Sequence, residues 1–120
     1  MTAMDAAAWF RLFETRECPL GRAKLVRAAG HDLAVFHLSD PDRFVVTPNA
    51  CPHAGGSLAA GELGSHTITC PWHAWVFDLH TGACPMAEHV RLVRYETRVE
   101  DGVLYVRLPP RPAAADSVLL

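Results

Sequence analysis

Apolar positions along this chain come in short runs that alternate with polar ones, and nearly every run ends on Gly, Pro, Asp or Asn. A period of two puts successive side chains on opposite faces of a strand, so the pattern predicts strands separated by turns. WFRLFET (9–15) alternates loosely, with Phe10, Leu12 and Glu14 on one face, and CPLGR (18–22) breaks it. AKLVRAA (23–29) and DLAVFHL (32–38) are predicted to join across Gly30-His31 as a two-residue hairpin. Ser39-Asp40-Pro41-Asp42 reads as a turn, and RFVVT (43–47) returns from it. HTIT (66–69), VFDL (76–79), RLVRYETRVE (91–100) and VLYVRL (103–108) follow, the last two flanking the hairpin signal Asp101-Gly102. A first-turn helix is expected only around residues 3–8. The fold class this predicts is all-β, an antiparallel sandwich or barrel. Its expected core is Leu25, Val35, Phe36, Val45, Val76, Phe77, Leu104 and Val106.

A length of 120 residues predicts one domain, placed at 1–108, with a flexible Pro/Ala-rich tail at 109–120. Net charge is −2 and Lys24 is the single lysine, so the concentrated positive charge that nucleic acid requires is missing. The first residues lack the basic start of a signal peptide, and no apolar run is long enough to span a membrane. A cytoplasmic protein is expected. In that compartment four cysteines point to metal or free thiols before disulfides.

Two stretches change the picture. CPHAGGSL (51–58) sets Cys51 and His53 two positions apart, and CPWHAW (70–75) sets Cys70 and His73 three apart. Sixteen residues lie between His53 and Cys70. Each stretch follows a β segment and ends in a tight turn, which suits two loops projecting from one end of a sheet. Two thiolates and two imidazoles admit tetrahedral zinc or an iron–sulfur centre. A small zinc finger would use its metal as the core, whereas this chain has apolar strands to form a core of its own.

NACPHAGGSL and CPWHAWVFDLHTG resemble the two cluster loops of the Rieske family, and YETRVEDGVLYV resembles its closing hairpin. The resemblance implies one 2Fe–2S cluster, with Cys51 and Cys70 on one iron and His53 and His73 on the other. It also implies a third, Pro-containing loop at Cys84-Pro85-Met86. Gly55 and Gly56 would let backbone N–H groups approach the inorganic sulfides. Rieske proteins of cytochrome bc complexes carry a disulfide between the loops; the matching positions here are Gly56, or a near neighbour, and Trp72. The Ser and Tyr whose hydroxyls raise the potential of that group are matched by Trp75 and Phe77, which implies a low potential.

Cys18 and Cys84 are read as outside the site, and His31, His37, His66, His80 and His89 as solvated or capping residues. No catalytic constellation stands out. The resemblance implies a soluble ferredoxin that carries single electrons from a flavin-containing reductase to a terminal oxygenase or similar enzyme. Two alternatives stay open at this point: the small subunit of an assimilatory nitrite reductase, and a zinc-stapled interaction module without redox role.

Overall fold

The computed structural model describes residues 7–39, 42–52, 55–72 and 74–110. Within these, nine strands form three antiparallel sheets of three. The outer sheet has the order β1 (Ala8–Glu14), β9 (Val103–Leu108), β8 (Thr97–Glu100). The central sheet runs β2 (Ala23–Ala28), β3 (His31–Ser39), β4 (Asp42–Pro48). The third consists of β5 (Glu62–Leu63), β6 (Thr67–Thr69) and β7 (Val76–Asp78).

The middle strand β3 explains the layering. Leu33 to Leu38 are buried without a break, as a strand covered on both faces requires. Ala34, Phe36 and Leu38 join Val45, Leu58, Ile68 and Phe77 in one core. Leu33 and Val35 face the other way and pack with Phe13, Val46, Leu104 and Val106 in a second. Burying a side chain such as Phe36 or Phe77 stabilises the fold by about 1.5–3 kcal/mol. The central sheet is thus shared: the outer sheet closes one core, and the third sheet and its loops close the other.

Several expectations need correction. Leu25 is 57% exposed; β2 is an edge strand, and on its side of the sheet the core ends at Ala23. Val76 is half-buried because β7 is likewise an edge. In β1 the register slips between Arg11 and Phe13, so Phe13 is buried where strict alternation would have chosen Leu12. Ala28 pairs with His31, so the hairpin loop is Ala29-Gly30, with φ of +52° and +82°, one residue earlier than expected. Of 91–100 only Thr97–Glu100 is strand. The preceding residues cross from one core, at Leu92, to the other, at Tyr95, and are held by single bridges, Ala83 to Arg91 and Val46 to Tyr95.

The described helical turns are short 3-10 segments at Thr15–Glu17 and Leu58–Ala60. The helix expected around 3–8 falls largely outside the described residues, and Ala8 begins β1. Residues 111–120 of the tail also lie outside. His37 is not a solvated residue. It is buried, with Nδ1 2.7 Å from the Cys18 carbonyl, Nε2 2.7 Å from Asp42 Oδ1, and its ring stacked on Phe44. Among the described residues no helix is long and apolar enough to cross a membrane.

Candidate metal centre

The first loop leaves β4 at Pro48 and folds back on itself. Ala50 bridges Ser57, the Cys51 N–H donates to the Gly56 carbonyl at 2.8 Å, and the Leu58 N–H donates to the Asn49 carbonyl at 2.8 Å. Asn49 holds the base through its side chain. Its Nδ2 donates to Ser57 Oγ at 3.0 Å, and its Oδ1 accepts the Ala59 N–H at 2.9 Å. The second loop joins β6 to β7 and is closed by the Cys70 N–H donating to the Trp75 carbonyl at 2.7 Å. Ala74, at φ +56°, makes the bend.

Cys51 and Cys70 both enter the core beneath these loops, 3% and 1% exposed, and neither forms a disulfide. His53 and His73 lie outside the described residues. The loops touch at Gly56. A Cβ there would stand 3.0 Å from Trp72 Cγ, 3.2 Å from Trp72 Cδ2 and 3.3 Å from Cys70 Sγ, so a side chain at this position would press on the indole and the thiol. Gly56 is thus tied to Cys51 by a backbone hydrogen bond and lies beside Cys70. The Gly55 N–H is taken by the Cys51 carbonyl at 2.8 Å, so it is not directed at a sulfide as the resemblance implied.

The third loop behaves as the resemblance implied in one respect. Cys84 is buried in the same core as Cys51 and Cys70, while Pro85 and Met86 are exposed beside it. Cys18 lies in the other core, away from the loops. Leu58 is fully buried under the first loop. Among the described residues no three His, Cys, Asp or Glu side chains converge as a metal site.

The donor chemistry fits an iron–sulfur centre. Two unbridged, water-excluded thiols on adjacent loops suit soft metal ions. Around them lies the apolar core of Phe36, Leu58, Ile68 and Phe77. Sequence reasoning found the loops and cysteines. It did not single out Asn49, whose only signal was an amide residue two positions before Cys51, nor the seat that Gly56 makes for Trp72.

Residues 8–96 match the Rieske [2Fe-2S] domain. Ferredoxin CarAc of Metapseudomonas resinovorans is 30% identical over 100 residues, covering 82% of this chain and 92% of that protein. Cholesterol 7-desaturase nvd of Hemicentrotus pulcherrimus is 30% identical over 96 residues, 77% of this chain. The chain spans only 20% of that desaturase's length. A solved complex of reduced oxygenase and oxidised ferredoxin in carbazole 1,9a-dioxygenase contains a chain that superposes with a TM-score of 0.76 at 28% identity. The superposition covers 87% of this chain and 96% of that one. The zinc reading gives way to a cofactor of one Rieske-type 2Fe–2S cluster. This chain belongs to the Rieske [2Fe-2S] domain family.

Proposed function

We propose that this protein is a ferredoxin, a one-electron carrier that takes electrons from a flavin-containing reductase and delivers them to a terminal oxygenase or similar enzyme in the cytoplasm. The observation that carries this reading is the pair of buried cysteines Cys51 and Cys70, neither in a disulfide, on loops that meet at Gly56. Supporting it, ferredoxin CarAc is 30% identical over 100 residues. Cys51 and Cys70 would hold one iron as thiolates, and His53 and His73 would hold the other as neutral imidazoles. Residues 1–108 form the working domain and 109–120 a tail.

When bound, the cluster supplies a site that accepts and returns one electron. The chain's part is to hold it and to keep water from its inner side. With two thiolates against two Fe³⁺ and two sulfides, the oxidised centre is neutral, against −2 for four thiolates, which eases reduction. Four protein ligands on two irons would leave no coordination position for a substrate at the cluster itself.

The test is direct. The purified protein is expected to be red-brown, to contain iron and acid-labile sulfide, and to be reduced reversibly. Ala at Cys51, His53, Cys70 or His73 is expected to abolish the cluster or leave it labile, whereas Cys18→Ser and Cys84→Ser keep the visible spectrum. A colourless Cys84→Ser protein, or a substrate turned over by the isolated chain, would overturn the reading.

A further inference from the structure

We infer that Trp72 is a positioning residue for the cluster: its indole, seated on Gly56 and beside Cys70, clamps the two loops together without a covalent bond and shields the Cys70 sulfur from water. The inference rests on the proposed role of Cys51 and Cys70 as ligands.

Three atoms define the clamp. Trp72 Cγ, Trp72 Cδ2 and Cys70 Sγ all lie within 3.3 Å of the point where a Cβ on Gly56 would stand. The ring of a second-loop residue therefore rests on the backbone of the first loop, in contact distance of the space beside the second loop's thiol. Gly56 in turn is tied to Cys51 by the 2.8 Å hydrogen bond from the Cys51 N–H. One contact thus connects the local frames of both thiols. Among the described residues no disulfide performs this task.

Exposure assigns the second half of the role. Trp72 is 55% exposed, yet Cys70 is only 1% exposed. An indole that served only to fill a core would be buried like Phe77, which is fully covered. This one has a face toward solvent and a face toward the Gly56 seat, the placement of a cover. Removing it opens a path for water toward the thiolate. Water there stabilises the more negative, reduced state, so the midpoint potential is expected to rise.

The experiment follows the loss of visible absorbance under excess iron chelator, together with the midpoint potential, in four variants. Trp72→Ala is expected to lose its cluster at least about tenfold faster than the parent, with a raised midpoint. Trp72→Phe, which keeps an aromatic face in the seat, is expected to restore both toward the parent. Gly56→Ala, whose new Cβ displaces the ring, is expected to behave like Trp72→Ala. With the ring gone that Cβ meets only Cys70 Sγ, so Gly56→Ala/Trp72→Ala is expected to fall short of the sum of the two single effects. Should Trp72→Ala fail to load, Trp72→Leu and Gly56→Ala carry the same comparison. A Trp72→Ala protein with the parent's release rate and midpoint overturns the clamp, as does strict additivity in the double variant. A parent protein without iron and sulfide would instead overturn the proposed function. A loaded parent, an unloaded Cys70→Ser and an unaffected Trp72→Ala would overturn this inference alone.

Discussion

Asn49 and Ser57 close the base of the first cluster loop side chain to side chain, with Asn49 Nδ2 donating to Ser57 Oγ at 3.0 Å. The same amide accepts the Ala59 N–H at 2.9 Å, so one residue fixes the loop's end and the 3-10 turn behind it. Asn49→Ala strands the partly buried Ala59 N–H and is expected to cost about 1–3 kcal/mol, read in thermal or urea unfolding of the loaded protein. Asn49→Asp keeps the acceptor for Ala59 and is expected to recover much of the loss. Equal losses in Ala and Asp would show that the hydrogen bond to Ala59 is not what matters.

The hairpin between β2 and β3 carries a correctable strain. Ala29, at φ +52°, sits in the left-handed region that an L side chain enters at a cost, and Gly30 follows at +82°. Two positive values in a two-residue loop make a turn that favours Asn-Gly. Ala29→Asn is expected to stabilise the protein by about 0.5–1 kcal/mol, seen as a melting temperature higher by a few degrees with an unchanged visible spectrum. A lower melting temperature would mean that the turn is held by contacts with the Ala29 methyl.

How far the sequence disclosed the structure differs by element. The cysteines and the loops carrying them were legible, because a metal site needs particular residue types at particular spacings and turns. Most strands were legible too, from Val, Ile, Phe and Leu in short runs between turns, but the two-residue β5 (Glu62–Leu63) was not. The placement of Leu25, Phe13 and Leu58 was not. Leu25 is exposed because the core ends short of it, Phe13 is buried because a bulge shifts β1, and Leu58 is buried because its loop folds under. Each outcome depends on a partner far away in sequence, which periodicity does not report. The segment 91–96 shows the same limit: its apolar residues alternate like a strand but serve two different cores.

The residues below Cys70 bear on the potential. Phe77 is fully buried in the core that contains Cys70 and has no hydroxyl to stabilise the reduced state. A midpoint near about −150 mV, at the low end for Rieske centres, is expected. Phe77→Tyr is expected to move it upward, because it places a hydroxyl donor in the core that contains Cys70. Redox titration of both proteins checks this, and a parent midpoint above roughly +100 mV would contradict it.

Stability at alkaline pH has an identifiable source. Burial pushes the Cys18 thiol up from its usual range, only partly offset by Lys24, and burial likewise raises the Tyr95 hydroxyl. Both groups are neutral when protonated, and each is harder to ionise folded than unfolded. The unfolded state therefore releases protons first as pH rises. Stability is full below the unfolded thiol's value of about 8.5 and declines above it, with the Tyr95 contribution entering from about 10. Urea unfolding between those values is expected to show a shallower decline in Cys18→Ser than in the parent. Parallel slopes would remove Cys18 as the cause.

A carrier that serves two partners in turn needs a small, weak contact face, and the exposed apolar residues indicate where it lies. Leu58, apolar and on the first loop, is fully buried in the core, and a charge placed there would unfold the loop. Trp72 and Met86 remain, 55% and 52% exposed, on the second and third loops. Val99, 51% exposed on β8 of the outer sheet, offers an equally exposed apolar control across the central sheet from the loops. With a reductase and oxygenase supplied, Met86→Glu is expected to slow electron delivery while leaving spectrum and midpoint close to the parent's. Val99→Glu is expected to change none of the three. The comparison separates docking from folding, because both substitutions place the same charge on equally exposed apolar sites. If Val99→Glu slows transfer and Met86→Glu does not, the docking face lies on the outer sheet rather than at the loops.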